Sequence, residues 1–283
     1  MQDLGTPVLD NHLHLDREGQ GVEAVRDFAR SGGTHLLVVN KPSWHLGVEV
    51  ETGADFEAVF EATRSLVVDA AAVLPGTAWP VLGVHPALIS RLVDDRGMGV
   101  EAARDLMKAG IDVAGEYAAA GDAVAIKSGR PHYDVDRAVW DASNQVLRHA
   151  LDVAADAGVA VQLHTEETED LGQIGEWATN VGLPPERVVK HYSTGRLSGV
   201  TASVMSRKGF LQTAIEQGEP FLMETDFIDD PDRPGAVMGP KTVPRRVNWL
   251  LENGHDDAVE GAHVETPAAL YGIDTRATLD REA

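Results

Sequence analysis

The sequence predicts a single-domain α/β protein with a (β/α)8 TIM-barrel fold, and three observations support this prediction. The chain of 283 residues is close to the roughly 250 residues of a typical barrel of this kind. Short apolar segments alternate with longer helical ones, and eight such pairs can be counted. Most of the predicted strands end in a polar or ionisable residue, as expected where a site forms at one face of a parallel barrel. We therefore treat residues 1–283 as one domain.

The predicted elements follow one another along the chain without a repeat or a linker that would divide it. The strands are apolar runs rich in β-branched residues, at residues 8–15, 34–40, 79–85, 123–128, 159–164, 188–192, 200–205 and 221–226. The segments between them place apolar residues three and four positions apart, which is the spacing of a helix that packs one face on a sheet. Predicted helices include residues 21–31, 55–74, 100–120, 136–157, 171–181 and 208–217.

Composition restricts both the chemistry and the partners of the protein. The chain has no cysteine, so a metal ion would have to bind nitrogen and oxygen ligands. Its formal net charge of -21 indicates a surface adapted to high salt, where self-repulsion is screened, or simply a very soluble acidic protein. Either interpretation disfavours broad binding of nucleic acid at low salt, although a local basic groove stays open. The start of the chain shows no signal peptide and no long apolar run follows, which favours a cytoplasmic protein with no membrane partner.

The sharpest local motif is His12-Leu13-His14 near the end of the first predicted strand. In a strand the side chains of residues two apart point to the same face, so both imidazoles can reach one divalent ion. A His-x-His motif by itself is weak, because buried histidines often only pack. Its position at the end of a strand strengthens the prediction of a metal site.

Three further strand ends carry residues that can bind a metal. His164 and His191 each end a β-branched run, and Asp226 ends the last predicted strand. Each one alone is more often a core histidine or a helix-capping aspartate. Their repetition at successive strand ends indicates a shared site, in which Asp226 could also accept a proton from bound water.

The order of these residues along a barrel-sized chain resembles the amidohydrolase superfamily, and its TatD-related metal-dependent hydrolases in particular. The resemblance covers nearly the whole chain. It includes Gly-Val-His-Pro at 83–86, Arg-Pro-His-Tyr at 130–133, Glu-Thr-Asp at 224–226 and Thr-Pro-Ala-Ala-Leu-Tyr-Gly at 266–272. The resemblance implies that His12 and His14 bind one metal, that His164 and His191 bind a second, and that Asp226 binds metal and helps to activate water.

Lys127 departs from the pattern of that family, in which a glutamate from the fourth strand usually bridges the two metals. A protonated amine has no lone pair and cannot bridge cations. A lysine carboxylated by carbon dioxide can, as in phosphotriesterase-like members of the superfamily, so we predict a carboxylated Lys127. In the alternative, Lys127 stays an ammonium group, replaces one metal and leaves a mononuclear or inactive site.

Other residues near the predicted mouth are weaker candidates, because loop packing explains each of them almost as well. His85 and His132 could touch the substrate, and Arg130 could hold an anion. Lys241, Arg245 and Arg246 form a basic cluster, predicted in the loop after the last strand, that could bind a phosphate. Trp44 and His45 could line a pocket, while Glu116 belongs to a predicted helix and is interpreted as structural.

The leading functional hypothesis is hydrolysis by water that two divalent metal ions activate. Zinc suits the ligands, and manganese, iron or cobalt would also be accepted. The resemblance implies a phosphoester substrate, which could be a DNA end, as for a deoxyribonuclease. A phosphotriesterase-like or lactonase-like hydrolase of a small ester, lactone or amide is the alternative, and a non-catalytic binding protein with the same barrel is a second one. The sequence predicts no oligomeric state.

Overall fold

Nine parallel strands form one continuous sheet in the structure, which is a computed structural model that describes residues 5–279 except 234 and 236. The sheet order is β8-β7-β6-β5-β4-β3-β2-β1-β9. The strands are β1 (Leu9–His14), β2 (His35–Val39), β3 (Ala78–Gly83), β4 (Ala125–Gly129), β5 (Ala160–His164), β6 (Val188–Ser193), β7 (Thr201–Met205), β8 (Phe221–Glu224) and β9 (Phe227–Ile228). All eight predicted strands are present within a few residues of their predicted bounds, and the predicted parallel α/β architecture is confirmed.

The sheet curls so that the first strand lies beside the last. β1 pairs with β2 on one side and with β9 on the other, in both cases in parallel. Only Thr225 and Asp226 separate β8 from β9, and the backbone of Asp226 has a φ of 48°. That conformation is incompatible with an extended strand, so the last predicted strand ends at Glu224, two residues early. The short strand β9 follows beyond its predicted end, which makes the strand count nine instead of eight.

Helices pack around the curled sheet. They are α1 (Val22–Arg30), α2 (Phe56–Ala71), α3 (Leu88–Ser90), α4 (Val100–Ala119), α5 (Arg137–Ala157), α6 (Gly172–Asn180), α7 (Lys208–Gln217), α8 (Thr242–Glu252), α9 (Asp256–Glu260), α10 (Thr266–Tyr271) and α11 (Thr275–Leu279). In α5, Val139, Val146, Leu147 and Leu151 recur at helical spacing and are buried. This apolar stripe packs on the sheet, while the opposite face of the helix meets solvent. None of the helices in the described ranges is long and apolar enough to cross a membrane.

The connection between β6 and β7 corrects the prediction of eight strand–helix pairs. Residues 194–200 join these two strands directly, without a helix between them. A parallel connection usually contains a dozen or more residues and a helix, and this one is too short for both. A groove with a volume of about 940 Å³ therefore lies outside β7, between α7 and the short C-terminal helices. Ala202 and Phe221 border this groove and are 8% and 7% exposed.

The interior of the curled sheet is layered. Its apolar layer consists of small and branched side chains from successive strands, namely Leu9, Leu37, Val39, Val81, Ala125, Ala160, Val189 and Leu222. Further toward the carboxyl ends of the strands the buried side chains are polar, beginning with Asn11, Gln162, Ser203 and Glu224. The Gln162 side chain donates to the Asn11 carbonyl oxygen and to the Tyr271 hydroxyl, at 3.0 Å each. These bonds fix the polar layer on which the candidate site lies.

Stability should depend on pH through His263, which lies far along the chain from the predicted site residues. Its Nδ1 accepts a hydrogen bond from the Leu9 N–H (3.0 Å), and burial lowers its pKa from 6.5 to about 3. At pH values between about 3 and 6.5, His263 is protonated in the unfolded chain and neutral in the folded chain. The free energy of unfolding therefore falls as the pH falls below 6.5.

Replacement of His263 by asparagine, which keeps an acceptor for the Leu9 N–H, should make this dependence shallower by up to about 1.4 kcal/mol per pH unit. Urea denaturation at pH 7, 6 and 5 measures the effect. Equal slopes in the wild type and the variant would contradict it.

Candidate metal centre

The candidate ligands meet at the carboxyl ends of the strands. His12 and His14 lie on β1, Lys127 on β4, His164 on β5 and His191 on β6, while Asp226 lies between β8 and β9. His164 is half-buried and the other five are buried. Because all these strands are parallel, their carboxyl ends share one edge of the sheet. The structure thus brings together all six residues that the sequence predicts for the metal site.

The four imidazole rings are packed against one another. The rings of His12 and His191 are stacked with their centroids 4.1 Å apart, and those of His12 and His14 are 5.1 Å apart. His164 lies 4.9 Å from His191 between centroids, and its Nδ1 is 2.8 Å from His191 Nε2. Two ring nitrogens at this distance either share one proton or point at a common cation.

Lys127 and Asp226 complete the cluster on the side of β1. The Lys127 Nζ atom is 3.3 Å from His12 Nε2. Asp226 Oδ1 is 3.9 Å from His12 Nε2 and 3.8 Å from His14 Nε2. Burial lowers the pKa of Lys127 and raises that of Asp226, because both charged forms lose their hydration, while the charge of Lys127 opposes the shift of Asp226.

Hydrogen bonds orient the two β1 histidines. His12 Nδ1–H donates to Gln162 Oε1 at 2.7 Å, and His14 Nδ1–H donates to the Val39 carbonyl oxygen at 2.9 Å. Each ring therefore keeps Nε2 free to act as a ligand, and Nε2 is also the atom that faces Asp226. Such a partner on the second ring nitrogen is the usual way in which proteins fix a metal-binding histidine.

The cluster fits a divalent cation. Burial lowers the pKa of His12, His164 and His191 well below 6.5, so the imidazoles are neutral, which is the form that binds metals. Within the described part of the chain, ligand atoms of His12, His191 and Asp226 all lie within 4.8 Å of one another. The buried Nδ1 atom of His191 has no hydrogen-bond partner among the described residues.

Glu224 is a buried residue of this cluster that was not predicted as a site residue. Its Oε1 accepts the Tyr192 N–H at 2.6 Å and lies 3.6 Å from His191 Nδ1. Its Oε2 accepts the Ser203 hydroxyl, and burial raises its pKa well above 4.5. The signal in the sequence was the period of two, because Glu224 precedes Asp226 by two residues, as Gln162 precedes His164.

His85 and His132 both approach His164, as expected for residues at the mouth. The His85 ring is 4.7 Å from that of His164 between centroids. His132 Nδ1 lies 2.8 Å from His164 Nε2, and His132 is exposed. Both side chains are therefore close enough to meet a molecule bound beside His164.

Arg130 has an acidic partner, which weakens the prediction that it holds an anion. It forms an ion pair with Glu166, with Nε 2.7 Å from Oε2, and also donates to Asn144 Oδ1 at 3.1 Å. Its guanidinium group lies 4.7 Å from the ring centroid of Trp140 on α5. Arg130 thus fastens the ends of β4 and β5 to α5.

The predicted basic cluster lies at the start of α8, and two of its three members have partners. Arg245 and Arg246 belong to α8 and not to a loop, and Arg245 is exposed. Lys241 Nζ is 2.7 Å from a carboxylate oxygen of Asp27, and Arg246 Nε donates to the Ser206 carbonyl oxygen at 3.0 Å. Two of the three cations are therefore held by other parts of the chain, which weakens the prediction of a phosphate site here.

The remaining weak candidates are also placed. Trp44 borders a small cavity of about 240 Å³, whereas His45 is exposed and is not among its lining residues. Glu116 is exposed on α4, which confirms the prediction that it belongs to a helix.

The curled parallel sheet, with histidines and a carboxylate at its strand ends, is that of a metal-dependent hydrolase. The sequence model of TatD-related DNases matches residues 9–271, and the chain belongs to that family. Members of the family are metal-dependent hydrolases, so the protein is an enzyme.

Individual relatives agree with this assignment. An uncharacterized protein of Methanocaldococcus jannaschii is 33% identical over 95% of this chain and 96% of its own length. A TatD-like protein of Archaeoglobus fulgidus has a similar structure, with a TM-score of 0.62 and 16% identity over 94% of this chain and 100% of that one. The organophosphorus hydrolase of Deinococcus radiodurans also has a similar structure, with a TM-score of 0.56 and 16% identity over 95% of this chain and 93% of that one. The likeness to these two structures concerns the fold alone.

Proposed function

We propose that the protein is a dinuclear metal-dependent hydrolase that cleaves a small phosphoester. His12 and His14 would hold one divalent cation and His164 and His191 the other, with Asp226 and a carboxylated Lys127 completing the two sites. The observation that carries the proposal is the convergence of these side chains, whose imidazole rings lie 4.1 to 5.1 Å apart from one neighbour to the next. In this proposal β8 and β9 act as one interrupted strand that closes an eight-stranded barrel.

The burial of Lys127 supports its carboxylation. Only an unprotonated amine reacts with carbon dioxide, and burial lowers the pKa of Lys127. In the reaction the amine nitrogen forms a bond to the carbon of carbon dioxide and loses one proton. The product is an anionic carbamate, whose negative charge and oxygen atoms are what a ligand between two cations needs.

The chain's own residues would supply proton transfer and orientation. Two bound divalent cations would lower the pKa of a water molecule and polarise the phosphoester. The Asp226 carboxylate would accept the proton of that water, and burial makes it a stronger base than an exposed aspartate. Gln162 and the Val39 carbonyl would keep His12 and His14 in the required tautomers. Zinc suits these ligands, and manganese, iron or cobalt would also be accepted.

The charges of the loops favour a small substrate over DNA. Arg130 pairs with Glu166, Lys241 with Asp27 and Arg233 with Asp230. A nucleic-acid site needs basic side chains that can reach phosphates, and these cations are already neutralised. A DNA end remains the second candidate because the family is that of TatD-related DNases.

Hydrolysis assays on metal-loaded protein test the proposal. We expect zinc- or manganese-loaded protein to release 4-nitrophenolate from 4-nitrophenyl methylphosphonate, to lose this activity after dialysis against a chelator, and to regain it with metal. A single-stranded oligonucleotide and a simple lactone are the comparison substrates. Cleavage of the oligonucleotide alone would favour the DNA end. No hydrolysis of any substrate with two metals bound would favour a non-catalytic binding protein.

A further inference from the structure

Three partly exposed aromatic residues surround His164, and we propose that they bind a flat ring of the substrate. We call Trp44, Tyr133 and Tyr192 the aromatic rim. The proposal rests on the proposed function, since it assigns the part of the ester that this same site would hold beside the scissile bond. It predicts an ester with an aromatic or heteroaromatic group as the preferred substrate class.

Both tyrosines of the rim lie one ring beyond a histidine that contacts His164. The rings of Tyr133 and His132 have centroids 5.4 Å apart, and those of His132 and His164 are 4.8 Å apart. Similarly, the ring of Tyr192 lies 6.4 Å from that of His191, which lies 4.9 Å from that of His164, between centroids. The two tyrosines therefore flank the same end of the candidate metal centre.

Trp44 repeats this arrangement from a third direction. Its ring lies 5.7 Å from that of His85 between centroids, and His85 lies 4.7 Å from His164. The Arg91 guanidinium group lies 4.7 Å from the centroid of the Trp44 ring, which helps to hold the ring in place. Aromatic side chains from the loops after β2 and β4 and from the end of β6 thus each lie beside a histidine that contacts His164.

The exposure of the tyrosines is unusual for this chain. Tyr192 is 47% exposed and Tyr133 is 39% exposed, and among the described residues only Val68 on α2 is also a large exposed hydrophobic side chain. Exposed large apolar groups that gather beside a site indicate binding rather than packing. Two of the three such residues flank the candidate metal centre.

The backbone of Tyr192 is held in an unfavourable conformation. Its φ is 59°, and in the described part of the chain only Asp226 shares a positive φ among residues other than glycine. A bulky side chain rarely adopts this conformation, which persists when the surroundings enforce it and is commonest at functional sites. Here Glu224 Oε1 accepts the Tyr192 N–H at 2.6 Å and so helps to fix this backbone conformation, in which Tyr192 stays partly exposed.

The chemistry of the rim suits a ring better than a second charged group. Aromatic side chains prefer offset or edge-to-face contacts with another ring, and an apolar alkyl group gains less from the same surface. The ring could belong to a small aryl ester or to a nucleobase, which share this chemistry. The paired cations of the loops favour the small ester, and the experiment separates the two sources.

Matched substrates test the rim without changing the leaving group. The pair 4-nitrophenyl phenylphosphonate and 4-nitrophenyl methylphosphonate differs only in the group that would meet the rim. The 4-nitrophenyl ester of thymidine 5′-phosphate adds a nucleobase. The variants are Tyr133→Leu and Tyr192→Leu, which keep an apolar side chain, and Tyr133→Phe and Tyr192→Phe, which keep the ring. Val68→Ala is the control for an exposed hydrophobic residue elsewhere.

We expect each leucine variant to raise the KM of the phenyl substrate by about three- to tenfold and to leave that of the methyl substrate unchanged. The phenylalanine variants keep the ring and should keep the wild-type ratio of phenyl to methyl KM, and Val68→Ala should behave as the wild type. A larger loss with the thymidine ester than with the phenyl substrate would assign the ring to a nucleotide, and the reverse to a small aryl ester. An equal ratio of phenyl to methyl KM in wild type and leucine variants would overturn the proposal.

The proposed function and the rim can fail separately. If the wild type hydrolyses none of the three substrates, the proposed function fails. Calorimetric measurement of the binding of phenylphosphonate and methylphosphonate then tests whether the aromatic rim binds a ring. Tighter binding of phenylphosphonate that the leucine variants abolish would still support it. Equal binding of both phosphonates in every variant would overturn it.

Discussion

Replacement of Lys127 by alanine is expected to reduce the metal content from about two ions per chain to one or none. It should also lower hydrolytic activity by at least about 100-fold, because even the loss of an indirect partner of a metal ligand costs 10- to 100-fold. Lys127 is 2% exposed and its Nζ lies 3.3 Å from His12 Nε2. Water from the surface therefore cannot easily take the place of its side chain beside the metal ligands. Elemental analysis of protein prepared with bicarbonate measures the metal content.

Two further variants make this result specific. Lys127→Glu supplies a carboxylate directly, and we expect it to recover part of the metal content without any dependence on bicarbonate. Lys190→Met removes another buried lysine, from β6, whose Nζ is 3.4 Å from the His191 carbonyl oxygen. This control should keep both metals. In the wild type, ¹³C-labelled bicarbonate should give a carbamate signal that is absent in Lys127→Ala. An unchanged metal content in Lys127→Ala would exclude the bridge.

The second large effect is expected from Asp226→Asn. Asparagine keeps the shape of the side chain and tolerates the φ of 48° found at this position, so the fold should persist. The amide cannot accept a proton from water, and kcat should fall by about 10²- to 10⁴-fold, with a smaller change in KM. Steady-state kinetics with 4-nitrophenyl methylphosphonate measure the loss of kcat, and the melting temperature of the variant shows whether the fold persists.

Asp229→Asn is the matched control for this experiment. The Asp229 carboxylate accepts the backbone N–H groups of Asp16, Gln20 and Gly21, at 3.1, 2.8 and 2.7 Å. Its replacement should lower the melting temperature and leave kcat nearly unchanged. If Asp226→Asn kept the kcat of the wild type while hydrolysis still required metal, Asp226 would not be the base.

The sequence was most informative where a local pattern determines a local structure. Period two placed His12 and His14 on one face of β1, and the parallel order of the strands placed His164 and His191 at the same edge. Such patterns predict which residues end a strand. The same period of two also pointed to Glu224, but its importance comes from contacts with Tyr192 and Ser203 that only the structure shows.

The helix prediction shows the limit of the same reasoning. Alternating strands and helices suggested a helix after every strand, but the chain between β6 and β7 is too short for one. The short strand after Asp226 was equally hidden, because the last strand was predicted to end at Asp226 and no local pattern indicated a further strand beyond it. The positive φ of Asp226 accompanies a hydrogen bond from the Asp226 N–H to the His12 carbonyl oxygen at 3.0 Å, which joins the two ends of the sheet.

By itself the sequence determined the class of fold and the identity of the candidate ligands, since hydrophobic periodicity and strand-end chemistry are properties of short segments. Only the tertiary structure decided the partners of the charged side chains. Arg130 meets Glu166, and Lys241 meets Asp27 from a distant part of the chain. Ion pairs of this kind depend on how helices and strand ends are arranged in space, and no local pattern encodes that arrangement. The same holds for the aromatic rim, whose three residues come from two loops and the end of β6 and lie around one site only because the sheet curls.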